Sequence, residues 1–228
     1  MPVMMKKNPV RRYAGFCVAS FIMALGIALV TNANLGTTPI TSLPFALAAI
    51  FSLSLGAATF LLNVLFVAAQ KCLLRQEFSV SHLLQLPAVL PFSAFIDLCM
   101  WLTQPLTTSV YPLQLALCLT GCVVLGLGVS LEIVSDATVL PGEGIVIAIA
   151  YRSRRIFGNI KVLFDLSLVL AAAGLSFAVL HAVVGLREGT VIAAVLTGFC
   201  VRFFSRWTRR LGPFFHGGKS IRHGKGRA

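Results

Sequence analysis

Asn32-Ala33-Asn34-Leu35-Gly36-Thr37-Thr38-Pro39-Ile40-Thr41-Ser42 breaks an otherwise apolar sequence. Ser135-Asp136-Ala137-Thr138-Val139-Leu140-Pro141-Gly142-Glu143-Gly144 breaks it again, 102 positions later. Pro39 returns as Pro141, and Asn34 falls opposite Asp136. Working outward at the same spacing, Leu25-Gly26 returns as Leu127-Gly128, Leu29 as Leu131, Ala46 and Ala48 as Ala148 and Ala150, and Gly56 as Gly158. Leu61, Val67 and Ala69 return as Leu163, Val169 and Ala171, and Asn63 falls opposite Asp165. Positions 25–70 hold ten identities with their counterparts, without a gap; composition alone accounts for about four or five in apolar segments. Two Gly pairs and a Pro pair are among them, and these residues fix backbone shape. The chain reads as two fused copies of one membrane module, a duplication found in many transporters.

Composition identifies the solvent. The chain is 57% hydrophobic and 11% charged, with mean hydropathy +0.90, where a soluble domain carries about 25% charged residues. Long runs are almost free of charge: Tyr13 to Thr31, Ser54 to Gln70, Leu83 to Thr103 (Asp97 alone), Leu113 to Leu131, Val162 to Ala182 (Asp165 alone) and Thr190 to Val201. Apolar stretches of about 20 residues cross a bilayer. The sequence therefore predicts an all-α polytopic membrane protein. The first run follows basic residues as a signal peptide would, but it is long, lacks a convincing cleavage site and aligns with an internal run, so it reads as a retained helix.

Basic residues set the orientation. Lys6, Lys7, Arg11 and Arg12 precede the first span, Lys71 and Arg75 follow the second, and Arg152, Arg154, Arg155 and Lys161 precede the fifth. After the sixth come Arg202, Arg206, Arg209, Arg210, Lys219, Arg222, Lys225 and Arg227; the remaining connections hold only Arg187. Six spans with both termini in the cytoplasm put every basic cluster inside, as the charge bias requires. Topology accounts for the net charge of +12. Contact of the basic tail with anionic lipid is expected, and nucleic-acid binding is not, since no reader module accompanies the charge.

Three spans per copy turn the second copy upside down, so the predicted architecture is two inverted three-span repeats, each with a Pro/Gly-broken re-entrant or half-helix segment. The boundaries are a basic N-terminus at 1–12, repeat 1 at 13–103, a linker at 104–114, repeat 2 at 115–205 and a basic tail at 206–228. The apolar pieces after the breaks, 43–53 and 145–151, are too short to span. Irregular backbone at membrane depth survives only when buried in protein or lining a wet cavity. Two broken segments at corresponding positions point to a binding site at the repeat interface. If the short pieces did cross, eight spans would result and Lys71 and Arg75 would lie outside, against the charge bias.

Most of the seven acids lie in or beside apolar runs, where an isolated acid costs at least ~2.5 kcal/mol at the bilayer centre and normally faces a partner or water. Asp97 sits in mid-span, and Glu143 follows the Pro141-Gly142 break. Asp165 lies four residues after Lys161, a spacing that also suits a helical ion pair. Glu132 reads as a cap at the end of span four. The expected substrate- or ion-binding set is Asn34, Thr38, Thr41 and Asn63 from copy one, with Asp97, and Asp136, Glu143 and Asp165 from copy two.

The remaining chemistry is sparse. The six Cys form no CxxC pair, and no His stands at metal-ligand spacing. No nucleophile elbow, phosphate loop or paired catalytic His stands out, so neither an enzyme nor a metal or cofactor is expected.

The Leu-Gly-Ile-Ala-Leu run leading to Asn-Leu-Gly-Thr-Thr-Pro, together with Pro141-Gly-Glu-Gly144, Gly158-Asn-x-Lys-x-x-x-Asp165 and Arg187-Glu-Gly-Thr-Val191, resembles the YitT/YczE/YyaS family of small bacterial integral membrane proteins over roughly residues 13–205. The resemblance implies a bacterial cytoplasmic membrane and carries no settled activity. The expected function is a secondary transporter or permease-like carrier for a small solute or ion. The alternative is a non-transporting scaffold or regulatory subunit, in which Gly121, Gly126 and Gly128 would line a helix-packing face and the acids would form peripheral ion pairs. Either could assemble as a homo-oligomer.

Overall fold

The computed structural model describes residues 9–216. Lys6, Lys7, Lys219, Arg222, Lys225 and Arg227, which entered the charge argument, lie outside the described residues. The described elements are all helical: α1 (Pro9–Asn32), α2 (Pro39–Phe51), α3 (Leu55–Leu74), α4 (Val80–Leu83), α5 (Gln85–Thr103), α6 (Tyr111–Ser135), α7 (Pro141–Ser153), α8 (Phe157–Leu180), α9 (Glu188–Thr208) and α10 (Gly212–His216). Six of them, α1, α3, α5, α6, α8 and α9, are long and apolar enough to cross a bilayer. This is a multi-pass membrane protein. Its outward faces are lined with exposed Leu61, Leu65, Leu170, Phe177, Val195 and Phe203, as lipid contact requires.

The short helices α2 and α7 have 13 residues each, too few to span. They do not start where the apolar pieces start, at 43 and 145. They start at Pro39 and Pro141. A proline at the first helical position loses nothing, because its missing N–H has no intrahelical partner there and its φ is already set. The same reasoning explains why α6 begins at Tyr111-Pro112, inside the stretch read as a linker. Both short helices end on a left-handed residue, Ser52 at φ 53° and Arg154 at φ 54°. Those two positions are 102 apart, as are the left-handed Asn34 and Asp136 that close α1 and α6. The backbone thus repeats at the spacing of the sequence.

Specific contacts show which helix ends meet. Arg12 donates from Nε to the Ser135 carbonyl at 3.1 Å and pairs through Nη2 with Asp136 at 2.9 Å. Tyr151 donates to Glu77 at 3.3 Å. The start of α1 and the ends of α3, α6 and α7 therefore share one end of the bundle, the Arg12 end. Arg11 lies over the Phe214 ring of α10 at 5.1 Å, which returns the chain after α9 to this end. At the opposite end Asn32 donates to the Met100 carbonyl at 3.1 Å and to Thr103 at 2.8 Å, joining the ends of α1 and α5.

The centre is the α1–α6 pair, which touches through glycine. A Cβ added at Gly26 would lie 2.5 Å from the Leu125 backbone nitrogen, one at Gly121 2.8 Å from the Val30 backbone, and one at Gly128 2.6 Å from the Met23 side chain. Without a hydrophobic force between helices in lipid, close backbone approach supplies the packing energy. Gly26→Ala should cost about 1–3 kcal/mol by overpacking. Gly174→Ala in α8, where nothing among the described residues lies within 4 Å, should gain about 0.5–1 kcal/mol of helix propensity. Thermal unfolding in detergent checks both, and equal effects would contradict this packing.

The short helices are exchanged between the halves: α2 packs on α8, and α7 packs on α3. Their starts meet, since a Cβ at Gly142 would sit 2.8 Å from Ile40 Cδ1. The halves differ in how their second and third long helices pack. In the first, α3 packs along α5 at Gly56, where a Cβ would collide with the Ser93 carbonyl and the Asp97 carboxylate. In the second, Gly158 has nothing within 4 Å among the described residues, and α8 and α9 stand apart around a cavity.

Candidate functional site

At the start of α2 the hydroxyls of Thr31, Thr37, Thr41 and Thr38 form a chain: Thr31 to Thr37 at 3.1 Å, Thr37 to Thr41 at 2.6 Å and Thr41 to Thr38 at 2.7 Å. All four side chains are buried, and the chain satisfies hydroxyls that would otherwise be costly at depth. At the start of α7 the capping residue is Leu140, which has no side-chain acceptor to offer, and Glu143 occupies the first turn. A carboxylate there complements the positive end of the helix dipole. Beneath it Gln70, fully buried on α3, donates to Gln85 of α5 at 3.1 Å and to the Pro141 carbonyl at 3.3 Å. Gly144 leaves room for that amide pair, because a Cβ would come within 2.9–3.0 Å of both amides.

Two cavities flank these helix starts. The first, about 970 Å³, lies at the Arg12 end and is lined by Arg12, Gln70, Gln85, Glu132, Asp136 and Glu143 among others. The second, about 630 Å³, runs from Thr38, Thr41 and Asn63 to Lys161, Asp165 and Arg202 between α8 and α9. Among the described residues, Glu143 is the one residue common to both walls. Lys161 and Asp165 pair at 2.7 Å in the second cavity, the helical ion pair that their spacing permits.

The structure brings together most of the residues expected from the sequence. Thr38, Thr41, Asn63, Glu143 and Asp165 line the second cavity, and Asp136 and Glu143 line the first. Asn63 turns its amide onto the Thr59 carbonyl of its own helix at 2.8 Å. Two expected residues lie elsewhere. Asn34 is an exposed left-handed residue whose carbonyl accepts from Arg187 at 3.0 Å. Asp97 accepts from Ser54 Oγ at 2.6 Å and from the Gly56 N–H at 2.7 Å, so it caps α3 and fastens it to α5. Four cavity residues outside the expected set are Glu132, Gln70, Gln85 and Lys161. All four sit near span ends, where an interfacial position is the ordinary reading. Only the fold gives the first three depth: the Leu140 N–H reaches Glu132, and Gln70 bonds Gln85 and the Pro141 carbonyl.

The end opposite Arg12 is closed. The Gly189 N–H donates to the Leu35 carbonyl at 2.7 Å, and the Thr37 N–H donates to the Gly185 carbonyl at 3.0 Å. Leu35 and Thr37 are fully buried beneath this seal. The corresponding stretch 136–140 instead contributes Asp136, Ala137, Thr138 and Val139 to the wall of the first cavity.

The profile of the family of unknown function DUF6198 matches residues 10–206. The chain belongs to that family. No curated protein and no solved structure matches it. In this DUF6198 member the matched stretch takes in both halves, both broken segments and both cavities, and ends within the last turn of α9. The capping role of Asp97 carries a test. Asp97→Ala should destabilise by about 1–3 kcal/mol, the loss of a charge-assisted cap, while activity per folded molecule stays unchanged. Loss of activity at full stability would show that Asp97 acts in function as well as in the cap.

Proposed function

We propose that this protein is a secondary carrier for a small polar solute or ion, bound where α2 and α7 begin. The observation that carries the reading is the position of Glu143, at the start of a half-length helix and in the walls of both cavities. The order of helix ends supports two inverted repeats: the first half starts at the Arg12 end and finishes at the Asn32 end, and the second half runs the other way. On that reading α2 and α7 are re-entrant, with their positive N-terminal ends directed at the centre, as in carriers that bind substrate on broken helices. Arg11, Arg12, Lys71, Arg75, Arg152, Arg154 and Arg155 then face the cytoplasm together with the first cavity. A membrane family such as YitT/YczE/YyaS, which the sequence motifs resemble, is the setting in which this architecture is expected.

The seal at 33–38 and the cavity beside 136–140 are what one state of an alternating-access cycle requires: closed outside, open inside. The two sides of the site differ chemically, with hydroxyls and an amide from the first half and carboxylates with Lys161 from the second. The scaffold reading has less to work with. Gly121 and Gly128 pack against α1, and Gly126 against Cys200 of α9, so no stripe of these small residues remains for a partner.

A panel of amino acids, organic acids and inorganic ions, screened by thermal unfolding, tests the proposal. A true substrate at 100 times its Kd stabilises by about 2.7 kcal/mol, and it should accumulate in proteoliposomes. Thr41→Val, which removes the central hydroxyl of the Thr chain at nearly constant shape, should weaken both effects. A solute that is carried equally well by Thr41→Val would contradict the site.

A further inference from the structure

The first cavity contains a carboxylate that the carrier reading does not use. Glu132 is 4% exposed. Among the described residues its Oε1 accepts one long bond, 3.4 Å, from the Leu140 N–H, and its Oε2 has no hydrogen-bond partner. Leu140 is the residue that caps α7, so Glu132 bridges the end of α6 to the start of the helix that presents Glu143. Both glutamates stand in the wall of the same cavity.

Among the described residues neither glutamate forms a salt bridge, and the cations that share a cavity with Glu143 are Arg12, Lys161 and Arg202. Arg12, on α1, is held by the Ser135 carbonyl and Asp136. Lys161, on α8, is held by Asp165 at 2.7 Å. The other ionisable groups around the cavity are Tyr13 of α1, Glu77 after α3, His82 of α4 and Tyr151 of α7. Glu77 adds another acid, and Tyr151 donates to Glu77. Two carboxylates in one pocket, one of them buried with a bare oxygen, leave a positive charge to be supplied. A hard metal cation takes about six oxygens, whereas Glu132 offers one unpartnered atom, and among the described residues no group of three His, Cys, Asp or Glu could hold a metal. A proton needs one oxygen.

We propose that Glu132 and Glu143 form a shared proton-binding site, loaded from the cavity at the Arg12 end, and that this proton is the coupling ion of the carrier. Loading forms one O–H bond at Glu132 Oε2, with the proton drawn from hydronium in the cavity and water left behind. Release reverses it, or passes the proton to Glu143, which also faces the second cavity. The coupling role rests on the carrier reading; proton occupancy does not, and it is measured without any substrate.

The test is infrared spectroscopy of the full chain reconstituted in lipid, following the protonated-carboxyl stretch as pH is varied in potassium and then in sodium buffer. The wild type should show a carboxyl band that titrates reversibly and identically in both salts. Glu132→Gln should remove about half of it, and Glu143→Gln should remove a similar share and shift the midpoint of the remainder. If Glu132→Gln fails to fold, the midpoint shift in Glu143→Gln still decides. An unchanged midpoint in Glu143→Gln, or a band displaced by sodium, would overturn the proposal.

Discussion

Glu143→Gln should abolish solute accumulation, by about 100-fold or more, equivalent to about 3 kcal/mol of lost interaction, while the protein inserts and folds normally. The substitution keeps the shape of the side chain at the junction of the two cavities and removes its charge. Among the described residues the carboxylate forms no salt bridge, so removing its charge forfeits only its interaction with the α7 dipole, about 0.3–1 kcal/mol. This separates function from folding. Uptake and thermal unfolding measured on the same preparation decide the matter. If uptake per folded molecule is unchanged while stability falls, the carboxylate is structural and the carrier site lies elsewhere.

The second large effect concerns the seal. Gly36 has φ 116°, and a Cβ there would lie 2.4 Å from Thr190 Oγ1 and 3.0 Å from the Arg187 N–H nitrogen. Gly36→Ala therefore combines backbone strain of about 1–3 kcal/mol with a collision inside the closed contact between 33–38 and 185–190. The seal should open. A cysteine placed at Thr37, fully buried behind it, should be unreactive toward a membrane-impermeant thiol reagent in the parent protein and reactive in the Gly36→Ala background. Exposed Cys17 and Cys72 are first replaced by Ser. Equal protection in both backgrounds would show that 185–190 does not gate access.

Much of this architecture could be read from residues whose effect is local. Pro39 and Pro141 announced the two broken segments, and the spacing of 102 that relates them also relates the left-handed residues Asn34 and Asp136. The sequence misplaced the starts of the short helices because hydropathy begins only at Leu43 and Ile145. A proline opens a helix before any apolar run does. Asp97 was legible as an anomalous acid but not as a cap, because its partners Ser54 and Gly56 lie some forty positions away and meet it only when α3 packs on α5. Glu132 shows the opposite failure. Four residues before Asp136, it has the position of an interfacial cap, and its depth comes from the 136–140 loop folding back to place Leu140 over it. The different packing of the two halves was also hidden. Gly56 and Gly158 are identical in sequence, but Asp97 in the first half is matched by Phe199 in the second, so the acid that ties α3 to α5 has no counterpart beside the open cavity.

The central claim is that the two broken segments form one site reached from one side at a time. Paired cysteine accessibility tests it most directly: Val139→Cys at the wall of the first cavity and Thr37→Cys beneath the seal, each labelled in sealed vesicles of known orientation. The account predicts labelling of the Val139 position from the cytoplasmic face only, with the Thr37 position protected, and the reverse pattern when bound solute drives the protein to the proposed outward-facing state. Labelling of the Val139 position from the periplasmic face, or of both positions from opposite faces at once, would contradict it.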